Sequence, residues 1–383
     1  MDLYFNDEHR MLQDMVREFA ENEVAPVAEQ LDKDERFPTE IVSQMGELGL
    51  MGMPFPEEYG GAEMDTVAYT IAVEELAKVD SSVAITMAAH TSLGTNPIYL
   101  FGTPEQKEKY LPKLTSAEYL GCFGLTEPEA GSDAGGTKTV AIAEGDDFII
   151  NGSKNFITNA GFAGTCVLTA RTDMNAKGSQ GISVFLVETN TPGFHIGKPE
   201  KKMGWRASDT RPLTFDNMRV SKKTLLGPLH DGFIQMMTAL QGGRISVAAL
   251  SLGLTQAAFN AAVKNTTERD AFGQKIHRFQ GVSMPLADIA TEIEAARHLI
   301  YYAAWLKDQG KNIVKEAAMA KLFASELAVK ATQLAVQVHG GYGYIKEFPV
   351  ERYFRDAKIL TIGEGTSEVQ KLVIMKQILS SLS

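Results

Sequence analysis

Cysteine is almost missing from this chain. Cys122 and Cys166 are the only two in 383 residues, too few for a disulfide framework or a cysteine-built metal centre. The seven histidines, His9, His90, His195, His230, His277, His298 and His339, show no H-E-x-x-H or other ligand spacing, so no metal site is expected. No G-x-G-x-x-G follows a strand-like run and no G-x-x-x-x-G-K-[ST] occurs, which removes the usual sequence routes to a dinucleotide or a nucleoside triphosphate. A G-x-S-x-G nucleophile elbow is also lacking. No apolar run approaches the roughly 18 residues of a membrane span. The opening MDLYFNDEHR is polar and acidic, unlike a signal or transit peptide, so a cytoplasmic protein is expected. Basic residues are outnumbered 37 to 48, a net charge of −11, which argues against nucleic acid as a partner. It leaves room for an anionic small ligand held by a few arginines.

What is present is an ordinary globular composition, 44% hydrophobic and 22% charged, in a chain long enough for two or three domains. Residues 1–120 read as helical. Met11, Leu12, Met15, Val16 and Phe19 recur at helical spacing behind the capping candidates Asn6 and Asp7, and TVAYTIAVEELAKV (66–79) resumes the period after a Gly-rich break at 57–65. Residues 121–227 change to a β pattern. FIINGSKNFIT (148–158) predicts two strands about an Asn151-Gly152 hairpin turn, and CVLTART (166–172) and ISVFLVE (182–188) predict two more. Residues 228–383 return to helices rich in small residues, one of which ends on Gly340-Gly341.

Several segments carry more chemistry than their surroundings. FGLTEPEAGSD (123–133) opens the β block with hydroxyls and turn amides of the kind that hold a heterocycle or a phosphate. KNFITNAG (154–161) sets Phe156 and Thr158 on one face of a strand, an aromatic wall beside a hydroxyl donor. ERDAFGQKIHRFQ (268–280) interrupts a helical region with Arg269, Phe272 and Gln280, and QVHGGYGY (337–344) ends a helix where backbone can approach a ligand closely. IGEGTSE (362–368) places the carboxylate of Glu364 between Gly363 and Gly365.

These segments, with PVERYFRDAKI (349–359) and EGTSEVQKLVI (364–374), resemble the acyl-CoA dehydrogenase family along nearly the whole chain. The resemblance implies an α+β fold, mostly α: an N-terminal helical domain, a central β-barrel-like domain and a C-terminal four-helix bundle. It implies FAD as cofactor, an acyl-CoA thioester as substrate, electron-transfer flavoprotein as electron acceptor and a homotetramer built as a dimer of dimers. It assigns Phe123, Leu125, Thr126, Gly131 and Ser132 to one side of the flavin and Phe156 and Thr158 to the other. Arg269, Phe272, Gln280, Gln337, Val338, Gly340 and Gly341 would hold the adenine and pyrophosphate end of a neighbouring subunit's FAD. Thr366, Ser367 and Glu368 would border the cofactor, and Ser132, Gln241, Arg244 and Gly365 the CoA thioester.

By the same resemblance Glu364 is the base that takes the pro-R α-proton while a hydride leaves the β-carbon for the flavin. Its own backbone N–H and a ribityl hydroxyl would hold the thioester oxygen. Isovaleryl- and long-chain-type members carry their base one position before the arginine of the LQGGR segment; that position here is Gly243, which has no side chain to react. Two departures stand out. Gln241 replaces a frequent aspartate at a CoA contact. Gly363 replaces a frequent tyrosine of the acyl pocket, which suggests room for a branched, cyclic or longer acyl group, while Tyr342 offers bulk that could limit depth. An acyl-CoA oxidase using oxygen is the alternative reading, against which the length of 383 residues speaks.

Overall fold

In the computed structural model, which describes residues 4–382, the first helix starts on a reciprocal cap. The Asn6 side chain accepts from the His9 amide (2.8 Å), and His9 Nδ1 accepts from the Asn6 amide (3.2 Å). Helix α1 (Asp7–Phe19) then buries Leu12, Val16 and Phe19 and leaves Met11 in solvent. It is followed by α2 (Ala25–Asp34), α3 (Thr39–Glu47), α4 (Thr66–Val79), α5 (Ser81–Ala89), α6 (Asn96–Phe101) and α7 (Pro104–Thr115). Asp65 and Asp80 cap α4 and α5 through the Ala68 and Val83 amides. A π-helical turn, His90–Thr95, follows α5. Its His90 is buried and held neutral, its pKa pushed down to about 4 by burial; Nδ1 accepts from the Gly121 amide and Nε2 donates to Leu114 O, both at 3.0 Å. This ring fastens the helical block to the first strand.

The strands are β1 (Leu120–Gly124), β2 (Val140–Glu144), β3 (Asp147–Thr158), β4 (Ala163–Arg171), β5 (Ile182–Glu188), β6 (Phe194–Ile196) and β7 (Thr210–Ser221). They form one sheet in the order β1-β4-β2-β3-β7-β6, with β5 antiparallel on β4 and β1 parallel to it. The hairpin expected at Asn151-Gly152 is not there. Residues 147–158 run as one strand paired with β7, and the chain reverses earlier, between Glu144 and Asp147. Gly152 instead marks a register shift, and Asn151 Oδ1 accepts from the Asn217 amide (2.7 Å). Long pairing with β7 outweighs the local turn preference.

Helix α8 (Gly232–Glu268) is the spine of the last block; β8 (Asp270–Ala271) and β9 (Gln274–Lys275) form a small hairpin before α9 (Gln280–Asp308), α10 (Val314–His339), α11 (Val350–Leu360) and α12 (Ser367–Ser380). Small buried residues, Ala248, Ala249, Ser251 and Ala258 on α8 and Ala317, Ala320, Ala324 and Ala328 on α10, let these helices approach closely. By length and composition α8 could cross a membrane, but 78% of its apolar window is buried in the protein, which makes it a core helix. Glu74 of α4 is fully enclosed and paired with Arg297 and the Tyr301 hydroxyl (2.7 Å) of α9. Asp356 of α11 joins all three blocks, accepting from Ser81 Oγ and the Trp205 amide, both at 2.7 Å. The result is an α+β arrangement, mostly helical, with its seven-stranded sheet confined to the middle of the chain and the short β8–β9 hairpin between the long helices α8 and α9.

Candidate active site

The IGEGTSE segment is the turn between α11 and α12. Gly363 N still donates to Ile359 O (2.8 Å), continuing the last turn of α11, and Thr366 opens α12, its hydroxyl accepting from the Val369 amide (3.3 Å). Between them Glu364 (φ +52) and Gly365 (φ +93) both take the left-handed conformation. A glycine does so freely; a glutamate does so only where the surroundings enforce it. Here Gln370 Nε2 donates to both Glu364 O (3.1 Å) and Gly365 O (3.0 Å), and Lys321 Nζ donates to Gly365 O (2.7 Å).

The twist turns the Glu364 carboxyl onto α8. There it rests against Gly243, where a Cβ would overlap Oε2 and lie 3.0 Å from Cδ. Oε2 is closed off from solvent and has no hydrogen-bond partner among the described residues; the same holds for Arg244 Nε and Gln370 Oε1 nearby. Buried polar atoms are normally satisfied, so this group of unfilled donors and acceptors points to a ligand. Burial pushes the Glu364 carboxyl up to about 7, with the Lys321 and Arg244 charges opposing the rise. The Lys321 ammonium, itself buried, is brought down to about 8. The Tyr69 phenol, hydrogen-bonded by Ser246 Oγ (3.3 Å), is raised by burial and, less, by the charge of Glu364.

The sequence reasoning missed Lys321, Gln370, Tyr69 and Ser246. Ser246 lies one turn after Gly243 on α8 and was within reach of a helical-periodicity argument. Lys321 carries a fainter signal, a lone lysine in the alanine-rich face of KEAAMAKLFASELA. Arg244, expected along the CoA moiety, is buried beside Glu364 with 5% exposure, while Gln241, one turn earlier, is half-buried. Ser367 is buried with its hydroxyl on Glu326, and Glu368 is exposed at the start of α12.

A second group gathers in the sheet. Asn155 N donates to Thr126 O (2.8 Å), and Lys154 Nζ reaches Leu125 O (3.2 Å), so the segments around Thr126 and Phe156 are joined. Lys154 is buried and paired with Glu127 (2.7 Å), whose carboxylate also accepts from the Lys138 (2.7 Å) and Thr139 (3.1 Å) amides. This pair holds the 125–130 turn in shape. Phe123 lies half-buried on β1, and Gly131 and Ser132 are exposed on the open loop beyond. Phe156, at a break in the β3–β7 register, is left-handed (φ +59) with 65% of its surface exposed, and Thr158 is half-buried beside it. A large ring held in water at a strained backbone position presents a face on which a planar group such as an isoalloxazine can stack.

A third group lies at the far end of α8. Arg269 Nη1 donates to His339 O (2.9 Å) and Asn265 Nδ2 to Val338 O (3.3 Å), which brings Arg269 against the Gln337–Gly341 turn. Phe272 is again left-handed (φ +50) and 96% exposed, and Gln280 is exposed at the start of α9. At about 1.5 Å per residue, α8 carries Arg269 roughly 37 Å from Arg244, so the third group and Glu364 do not meet in one chain. Tyr342 lies beyond the C-terminal end of α10, roughly 27 Å along that helix from Lys321 at about 1.5 Å per residue. It does not limit the space beside Glu364 of its own chain, and of the two expected determinants of acyl depth only Gly363 adjoins the base.

Comparison with known proteins places the chain in a family. Family models for the N-terminal, middle and C-terminal domains of acyl-CoA dehydrogenase match residues 6–118, 122–218 and 230–379. A short-chain specific acyl-CoA dehydrogenase of Clostridium acetobutylicum is 50% identical over 378 residues, 99% of this chain and 100% of that protein. A chain from the structure of the electron transferring flavoprotein of Acidaminococcus fermentans, from work on flavin-based electron bifurcation, superposes with a TM-score of 0.96 at 48% identity, covering 99% of this chain and 100% of the other. A glutaryl-CoA dehydrogenase of Mycobacterium smegmatis, solved in complex with FADH2, gives a TM-score of 0.94 at 30% identity, over 99% of this chain and 96% of its own. The chain belongs to the acyl-CoA dehydrogenase family.

Proposed function

We propose that the protein removes hydrogen across the α,β-bond of an acyl-CoA thioester, giving the trans-2-enoyl-CoA, with Glu364 as the base. The observation that carries this reading is the Glu364 carboxyl itself: turned onto α8, closed off and unpartnered at Oε2, and pushed up to about 7. A general base works best when its pKa lies near the working pH. An ordinary surface glutamate would be too weak to take a proton from carbon, and one with a much higher pKa would already hold its proton.

The family is FAD-dependent, and the bound flavin supplies the acceptor for the hydride that leaves the β-carbon. Phe156, Thr158 and Thr126 would hold its ring system. The backbone N–H of Glu364 would donate to the thioester oxygen as negative charge develops there, and the left-handed turn presents that amide and the carboxyl from one residue. Arg244 and Lys321 keep a share of the base ionised despite its burial. A short acyl group is favoured by the likeness to the short-chain specific relative. Electron-transfer flavoprotein is the proposed electron acceptor, on the likeness to the Acidaminococcus chain. Arg269 and Phe272 lie too far from Glu364 to serve the same cofactor molecule within one chain, which supports a neighbour-shared cofactor; the homotetramer is proposed on the family resemblance.

Glu364→Gln tests the central assignment. It preserves size and leaves the Phe156 and Arg269 groups untouched, so FAD and acyl-CoA should still bind. Anaerobic stopped-flow bleaching of the flavin by acyl-CoA should slow by about 10²–10⁴, the usual loss when a general base is removed. A variant that bleaches within a few-fold of the parent rate would place the base elsewhere.

A further inference from the structure

We infer that Lys321 is the positioning residue of the base: its ammonium clamps the Gly365 carbonyl and sets a positive charge beside the Glu364 carboxylate. The inference rests on Glu364 being the base and names the group that keeps it in place and in its charged form.

Lysine is among the residues least often fully buried, yet the Lys321 side chain is wholly enclosed, on a stretch of α10 otherwise lined by Ala317, Ala318, Ala320 and Ala324. No carboxylate of the described residues lies within ion-pairing distance of it, so its burial is not repaid by a salt bridge. Its hydrogen bond goes to a main-chain carbonyl, Gly365 O at 2.7 Å. That carbonyl also accepts from Gln370 Nε2 at 3.0 Å, and two donors on one oxygen fix the peptide plane that follows the base. Glu364 and Gly365 are both left-handed, and a pair of residues in that region needs an outside hold to stay there. Gln370 reaches the turn from α12 and Lys321 from α10, so the loop is pinned between two helices and only one of the pins is charged.

The charged groups around Lys321 come from four elements. Glu364 faces it from the turn, Arg244 from α8, Glu326 from its own helix and Glu368 from α12. Glu364 is influenced by Lys321 and Arg244, and Tyr69 lies near it from α4. Arg244 alone, without Lys321, would leave the buried carboxyl with half its opposing charge and a loosened backbone. The role is distinct from catalysis: Lys321 acts through Glu364 and the carbonyl next to it.

The test uses the FAD-loaded enzyme and compares Lys321→Met, Lys321→Gln and Lys321→Arg, with Glu364→Gln in parallel. The readout is the pH profile of anaerobic flavin reduction at saturating acyl-CoA, with KM measured alongside. Lys321→Met and Lys321→Gln should keep FAD, change KM by no more than a few-fold, and move the acidic limb of the profile upward by about one pH unit, as expected when an opposing charge is lost. Lys321→Arg should return the limb toward the parent position. If Lys321→Met does not fold, the Lys321→Gln and Lys321→Arg pair carries the comparison. Acidic limbs that coincide with the parent in both uncharged variants overturn the inference and leave Lys321 a packing residue. If Glu364→Gln still reduces its flavin at the parent rate, the reading of the base fails first and this inference falls with it. A dead Glu364→Gln beside unshifted Lys321 variants defeats the Lys321 role alone.

Discussion

The carboxyl of Glu364 occupies the space that a side chain on Gly243 would need, since a Cβ built on Gly243 overlaps Glu364 Oε2. The two positions from which family members are described above as deploying a base therefore share one seat. A carboxylate delivered from the α11–α12 turn and one delivered from α8 would reach the same reacting carbon, and both cannot be present together.

Moving the base follows from this. Gly243→Glu combined with Glu364→Gly should recover part of the flavin-reduction rate lost in Glu364→Gly alone. Gly243→Glu on Glu364→Gln should not, because the glutamine still fills the seat. Stopped-flow bleaching across these variants checks both halves, and equal rates in the two double variants would show that the seat is not shared.

The pH dependence of stability offers a separate readout. Burial raises the folded-state pKa of Glu364 from an ordinary 4.5 to about 7, so the folded protein prefers the protonated form. Its contribution is fully present below about 4.5 and is lost as pH rises through 7. Glu364→Gln should therefore gain stability relative to the parent as pH rises over that window, by on the order of 1–3 kcal/mol, and level off above it. Asp356, raised by burial to about 7 as well, titrates in both proteins and cancels in the difference. Denaturant melts of the two proteins from pH 4.5 to 8.5 check this; a difference that stays flat would mean that Glu364 is not perturbed.

Arg269→Ala removes the guanidinium that holds His339 O and leaves the base untouched. The variant should lose FAD and loosen its subunits, read by flavin absorbance and sedimentation. A monomer with full FAD content would contradict the assignment of this end of α8 to a neighbour's cofactor.

Gly363→Tyr should narrow the acyl pocket. A Cβ on Gly363 meets only Ile359 O, at an ordinary 3.5 Å, so the backbone accepts a side chain there. The ratio of kcat/KM for a straight short acyl-CoA over a branched or cyclic one should rise by about ten-fold or more, within the ~1–3 kcal/mol of pocket discrimination. An unchanged ratio would show that the position does not shape the pocket.

How far the molecule could be read from its sequence depended on whether a feature was local. The Asn6 cap, α4 over residues 66–79 and the break at 268–280 are written in consecutive residues and stand in the structure as expected. Glu364 announced itself because the glycines on each side are adjacent to it. Lys321, Tyr69 and Ser246 did not, because each comes from a different helix and only the packing of α4, α8 and α10 brings them near the base. The Asn151-Gly152 misreading has the same root: a strong local turn signal met a distant strand, β7, that pairs straight through it. Glu127 carries no signal of its own within FGLTEPEAGSD, because the partner that fixes it, Lys154, lies two strands further along the chain.

The length of α8 has a genetic consequence. Because α8 carries Arg269 at its C-terminal end and meets the Glu364 carboxyl at Gly243, toward its other end, a neighbour-sharing assembly would separate the chain that carries a defect from the site that suffers it. An Arg269→Ala chain would damage its neighbour's site, and a Glu364→Gln chain would damage its own. Co-expressed, two alleles that are each inactive alone should therefore complement, with the intact Glu364 of one chain served by the intact Arg269 of the other.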